Sequence, residues 1–274
     1  MTGNGRRVAI ITGGSQGIGA GLVAGYRGRG WAVVASARTI KPSEDPDVLT
    51  VEGDIAKPAT ADRIIEGALE RFGRIDTLVN NAGVFVSRPF TDYTAEDYAL
   101  VVGVNLTGFF WLTQRAIAEM VRRYGGHVVN ISATLAEVAN SSAPSVLSAL
   151  TKGGLAAATR SLAVEYASRG VRVNAVSPGI IQTPVHPPDS YDGLGDQLPR
   201  SAGSARSATS STASCSWSHR PTSPARSCTS TAARSRAVRP AAVDARGRAG
   251  IPAAHLARCG PSEVAGSVES KRLR

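Results

Sequence analysis

An α/β fold, a Rossmann-type doubly wound parallel sheet, is what the sequence predicts, and three observations carry the prediction. Short β-branched runs alternate with longer helix-forming segments from Arg6 to Ser177, the pattern of consecutive βαβ units. A glycine-rich turn joins the first strand to the first helix, where sheets of this kind bind ligands. Residues 1–199 are free of cysteine and carry 18 Lys+Arg against 18 Asp+Glu, a balance that suits a globular body.

The first strand is VAIIT (8–12), an apolar run without polar alternation, as expected of a strand buried on both faces. A Gly-rich helix is expected over 17–30. WAVVAS (31–36), VLTVEG (48–53) and IDTLVN (75–80) are the next strands, with a helix over 60–72. Helical residues over 95–124 are interrupted near 103–105. HVVNIS (127–132) is the fifth strand, 145–168 a long helix and VRVNAVS (171–177) the sixth strand.

Residues 200–274 differ in kind. They hold 13 Lys+Arg against 3 Asp+Glu, so the whole formal charge of +10 lies there, together with Cys215, Cys228 and Cys259. The opening RSAGSARSATSSTASCSWSHR has too few aliphatic residues to offset chain entropy by burial, which predicts disorder. The expected organisation is a globular domain over 1–199 and a basic tail over 200–274. No apolar run reaches membrane-spanning length and no apolar signal core opens the chain. A cytoplasmic protein without a membrane partner is therefore expected, in line with the cysteine-free body. The tail could touch phosphates non-specifically, but Trp217 is its only aromatic residue, so no specific nucleic-acid partner is expected. No metal site is expected.

The turn itself is Thr12-Gly13-Gly14-Ser15-Gln16-Gly17-Ile18-Gly19. Glycines there let the main chain approach a pyrophosphate, and the helix N-terminus offers N–H groups and the positive end of its dipole. Asn80-Asn81-Ala82-Gly83 follows the fourth strand, Asn105 falls at the helix break, Lys152 lies in the helix after the fifth strand, and Ser177-Pro178-Gly179 follows the sixth. In order and spacing these motifs resemble the short-chain dehydrogenase/reductase family over residues 7–199.

The resemblance implies an NAD(P)(H)-dependent oxidoreductase that transfers hydride between a nicotinamide cofactor and a small carbonyl or alcohol substrate. It places Gly13, Ser15, Gln16, Gly17, Ile18 and Gly19 along the pyrophosphate and ribose, and Asp54 and Ile55 beside the adenine. Asn81, Ala82 and Gly83 would line the cofactor groove, with Pro178, Gly179, Ile181 and Thr183 at the nicotinamide end. Asn81 and Asp54 would equally serve as turn caps. A homodimer or homotetramer built partly on 105–124 and 145–168 is also implied.

Cofactor choice rests on Ser36-Ala37-Arg38 at the end of the second strand. No carboxylate there would hold a free 2′-hydroxyl, and Arg38 would pair with a 2′-phosphate, so NADP(H) is favoured over NAD(H). The plainer reading of Arg38 is a solvated surface arginine.

The chemistry departs from the family pattern. A tyrosine four residues before the lysine is the family's proton donor or acceptor, and here that place holds Ser148. An aliphatic hydroxyl is far less acidic than a phenol of pKa about 10. Ser132 is chosen as the serine that polarises the substrate oxygen, although it and Thr134 would also satisfy backbone groups at a strand end. Lys152 would hold the nicotinamide ribose and Asn105 a water linking the lysine to solvent. His186 offers a substitute acid with a suitable pKa. Impaired catalysis is expected, or else a cofactor-binding pseudoenzyme, a sensor or scaffold without the acid.

The family pattern also calls for a further helix and a seventh strand where the tail begins. Joining the third base of each codon to the first two of the next, with only synonymous choices free, lets the chain from Arg200 onward read Leu-Gly-Arg-Leu-Gly-Glu-Ile and later Gly-Glu-Ile-Leu-His-Ile-Asp-Gly-Gly. That text resembles the family's ordinary ending. A one-base frameshift between Pro199 and Arg200 is therefore expected, leaving 171–177 as an unpaired sheet edge and weakening solubility, stability and assembly.

Overall fold

The computed structural model describes residues 5–136, 144–179, 181–182, 205–206 and 228–229. Six main strands run parallel: β1 Val8–Thr12, β2 Ala32–Ala37, β3 Val48–Glu52, β4 Thr77–Asn80, β5 Gly126–Ile131 and β6 Val171–Ser177. Their spatial order is β3-β2-β1-β4-β5-β6. The chain reverses its direction of travel across the sheet between β1 and β4, and a crevice opens outside the carboxyl ends of strands at such a switch point.

Alternate residues of the strands enter two separate cores. Val8, Ile10, Val34, Leu78, Val128 and Val173 face the helices α2 Pro58–Phe72, α4 Gly108–Arg122 and α5 Val146–Tyr166. Ala9, Ile11, Val33, Val79 and Val129 face the other way, onto Leu22 and Tyr26 of α1 Gly17–Arg27. Helices on both faces explain why the strands carry no polar alternation.

The helix ends have local causes. Helix α2 begins at Pro58, whose fixed φ suits the first turn and whose missing N–H costs nothing there. It stops at Gly73, left-handed at φ 72, with its N–H on the Leu69 carbonyl. Thr94 and Asp97 form a reciprocal capping box at the start of α3 Ala95–Val102. Helix α1 ends at Arg27, three residues short of the expected Gly30, because Gly30 sits at φ 77. The expected interruption near 103–105 is a π-helical turn, Gly103–Thr107, between α3 and α4.

In place of a full seventh strand stands a two-residue segment, β9 Cys228–Thr229, paired in parallel with Val176 and Ser177. The expected bare edge of β6 is corrected at those two residues. Free N–H and C=O groups at a sheet edge accept any extended segment that reaches them. A second two-residue pair, β7 Ile181–Gln182 with β8 Ala205–Arg206, lies apart from the main sheet. The rest of 200–274 lies outside the described residues.

Candidate functional site

The glycine-rich turn occupies the crevice at the carboxyl end of β1. Gly13 and Gly17 adopt φ 66 and 55, the left-handed region that side chains resist. A Cβ on Gly19 would stand 2.0 Å from the Gly13 carbonyl oxygen, so the turn closes only on glycine.

Thr12 holds this turn to its neighbour across the switch point. Its Oγ1 accepts from the backbone N–H groups of Asn81 (3.0 Å) and Ala82 (2.9 Å) and donates to the Val79 carbonyl at 3.4 Å. Asn81 answers with its side chain, Nδ2 donating to the carbonyls of Thr12 (2.9 Å) and Gly13 (3.3 Å). The turn-capping role of Asn81 is thus present, while its backbone borders the groove. Thr12→Val should lower stability by about 1–3 kcal/mol, since it strands two backbone donors. A thermal melt checks this; an unchanged midpoint would assign the hydroxyl no structural role.

The crevice continues as a groove of about 670 Å³. Gly13, Ser15, Gln16, Gly17 and Ile18 line one wall, Arg38, Asp54 and Ile55 one end, and Asn81, Ala82 and Gly83 the opposite wall. Gly19 packs behind the turn. Asp54 also caps, its Oδ1 accepting from the Ala56 N–H at 3.0 Å. Sequence reasoning missed Thr12, Thr39, Gly53, Val84 and Val104 as lining residues. Only Thr12 gave a signal, as a hydroxyl closing an otherwise apolar strand.

Asn105 sits in the π-helical turn and ties three elements together. Its Oδ1 accepts from the Val84 N–H at 2.9 Å, and its Nδ2 donates to the Val84 carbonyl and to Thr151 Oγ1, both at 3.1 Å. Oxygen and nitrogen of the carboxamide are both engaged by these bonds.

Lys152 is half-buried, and its Nζ donates to the Ile131 carbonyl at 2.7 Å. Burial lowers its pKa to about 8. A Cβ on Gly83 would lie 3.3 Å from that Nζ and 3.4 Å from Asn105 Oδ1, so the bare glycine brings groove, lysine and asparagine into contact.

Ser132 and Ser148 flank the lysine, both buried. Ser132 Oγ donates to the Lys152 carbonyl at 3.4 Å, a strand-end backbone role. Ser148, one helical turn before Lys152, has a buried Oγ with no hydrogen-bond partner among the described residues. Pro178 and Gly179 follow β6, and Ile181 is buried in β7. Thr183 and His186 lie outside the described residues. No group of three or more metal-ligating side chains occurs among the described residues, and no described helix is long and apolar enough to cross a membrane.

Comparison with known proteins agrees with this geometry. The short chain dehydrogenase family model matches residues 7–192. The chain is 38% identical over 187 residues to the granaticin polyketide synthase putative ketoacyl reductase 2 of Streptomyces violaceoruber, covering 65% of this chain and 74% of that one. The crystal structure of 3-ketoacyl-(acyl-carrier-protein) reductase from Brucella melitensis complexed with NADH is similar at 27% identity and a TM-score of 0.68, over 76% of this chain and 89% of that one. A tyrosine-to-phenylalanine variant of ElxO with NADPH bound is similar at 26% identity and a TM-score of 0.69, with the same two coverages. The chain belongs to the short-chain dehydrogenase/reductase family of NAD(P)-dependent oxidoreductases.

Proposed function

We propose that this chain binds NADP(H) in preference to NAD(H) and carries an impaired form of hydride transfer to a small carbonyl, or from the matching alcohol. The observation that carries the reading is an intact groove joined, through Gly83, to a lysine whose helical neighbour is Ser148. The groove residues fit a dinucleotide: left-handed glycines open the main chain toward a pyrophosphate, and Lys152 stands at the far end for a ribose. A bound nicotinamide would supply or accept the hydride. Lys152 would orient the ribose, Asn105 would hold Val84 and the groove wall in place, and Ser132 would polarise the substrate oxygen.

Ser36, Ala37, Arg38 and Thr39, the groove residues at the end of β2, include no carboxylate. Arg38 makes no ion pair among the described residues, so its guanidinium is available to a 2′-phosphate. Arg38→Ala should weaken NADPH binding about tenfold or more, the worth of a charge-assisted bond, and leave NADH binding nearly unchanged. Fluorescence titration with both cofactors measures this. Equal affinity of the unaltered protein for NADPH and NADH would sink the preference.

The buried Ser148 hydroxyl, without a hydrogen-bond partner among the described residues, favours a second reading, a cofactor-binding pseudoenzyme. An aliphatic hydroxyl has no acidity to replace a phenol. We also propose the one-base frameshift between Pro199 and Arg200, supported by the family match ending at residue 192 and by the family-like text of the shifted frame. Resequencing the gene across those two codons decides it, and an unaltered frame there would remove the proposal.

A further inference from the structure

The amine beside Gly83 has a reactivity that holding a ribose does not use. Lys152 Nζ donates to the Ile131 carbonyl at 2.7 Å, and the lysine forms no ion pair among the described residues. An ammonium that has lost part of its water and meets a neutral carbonyl in place of a carboxylate is poorly compensated, which favours the uncharged amine. Burial is the cause of its pKa of about 8, with no charged neighbour adding to it. At pH 7 about one such amine in ten is unprotonated, against about one in 2,500 for an ordinary lysine.

The amine is also within reach of the groove. Gly83 lines the groove and is exposed, and a Cβ there would lie 3.3 Å from Nζ. The bare glycine therefore leaves a window between groove and amine that a side chain would narrow. Ser148, one turn before Lys152 on α5, keeps a buried hydroxyl with no hydrogen-bond partner among the described residues.

We propose that Lys152 is a nucleophilic amine that takes small, uncharged aldehydes from the groove as imines, a covalent chemistry separate from hydride transfer. The neutral nitrogen attacks the carbonyl carbon, the C–N bond forms, and the oxygen takes the proton that nitrogen gives up. The carbinolamine then loses that oxygen as water and leaves a protonated imine, so no oxidant or reductant is consumed. The departing oxygen requires a hydrogen-bond donor, and the uncommitted Ser148 hydroxyl shares a helical face with the amine. An uncharged aldehyde fits because no charged group perturbs Nζ, and the groove's arginine, Arg38, stands at its other end. The proposal does not depend on the NADP(H) preference.

The test incubates the full chain, free of cofactor, at pH 7 with limiting propanal and cyanoborohydride, which reduces imines to stable amines, and maps the modified positions by peptide mass spectrometry. The chain has four lysines, Lys41, Lys57, Lys152 and Lys271, so each is read separately beside the N-terminal amine. Lys152 should be alkylated at least about tenfold faster than the exposed Lys41 and Lys57. Lys152→Arg keeps the charge and removes the nucleophile, so the fast event should vanish. Gly83→Val should slow the reaction at Lys152 and leave Lys41 and Lys57 unchanged, with a thermal melt run on both variants. Labelling of Lys152 no faster than that of Lys41 and Lys57, or a fast event that survives in Lys152→Arg, would overturn the proposal. An unchanged rate at Lys152 in folded Gly83→Val would overturn the groove as the source of the aldehyde. If NADPH fails to slow the reaction at Lys152, the imine stands and the ribose role of the lysine falls, so the two readings separate.

Discussion

Ser148→Tyr is expected to raise kcat about 10²–10⁴-fold for NADPH-dependent reduction of small ketones and aldehydes, the usual worth of a positioned general acid. Ser148 and Lys152 are four apart on α5, so their side chains share one helical face. A phenol at Ser148 would stand beside a lysine whose own pKa burial has lowered to about 8, and a nearby cation lowers a phenol's pKa in turn. The serine hydroxyl does not offer a phenol's acidity, and its buried Oγ has no hydrogen-bond partner among the described residues. Ser148→Phe is the control, adding the ring without the hydroxyl, and it should give no gain. If the tyrosine variant binds NADPH normally and shows no rise, the missing phenol does not limit this protein and the assignment of Ser148 fails.

Acid should destabilise the fold steeply through one histidine remote from the groove. His127, at the start of β5, is 2% exposed, and its Nε2 lies 3.0 Å from Asn174 Oδ1. Burial lowers its pKa from 6.5 to about 3, helped by the Arg172 charge and opposed by the Asn174 bond. A folded-state pKa below the unfolded one means that the unfolded chain binds more protons between those two values, so stability rises with pH there. The contribution is complete above pH 6.5 and drains away as pH falls toward 3, at about 1.4 kcal/mol per pH unit. Carboxylates held low by ion pairs, such as Asp45 beside Arg27, act in the same direction only at lower pH. His127→Gln keeps an N–H donor for Asn174 and removes the titration, so it should flatten the slope between pH 6.5 and 4 in denaturant melts. Parallel slopes for the two proteins would show that His127 is not the group responsible.

The order of strands and helices from β1 to β6 was legible because both faces of the sheet are covered. Runs such as VAIIT are then uniformly apolar, and the helices between them keep their own period. The glycine-rich turn was legible for a steric reason, since the positive φ at Gly13 and Gly17 and the contact at Gly19 admit no side chain. The identity of Ser148 is likewise a fact of sequence, and with it the expectation of weak acid catalysis.

What only the tertiary structure decided was how side chains far apart in the chain share their hydrogen bonds. The carboxamide of Asn105 meets Val84 and Thr151, contacts that no local pattern announces. Local pattern records which residues a strand or helix can bear, because sterics and burial act over a few neighbours. It does not record which polar groups meet across the switch point, because those distances are set by the sheet order and by the crossing of helices tens of residues away.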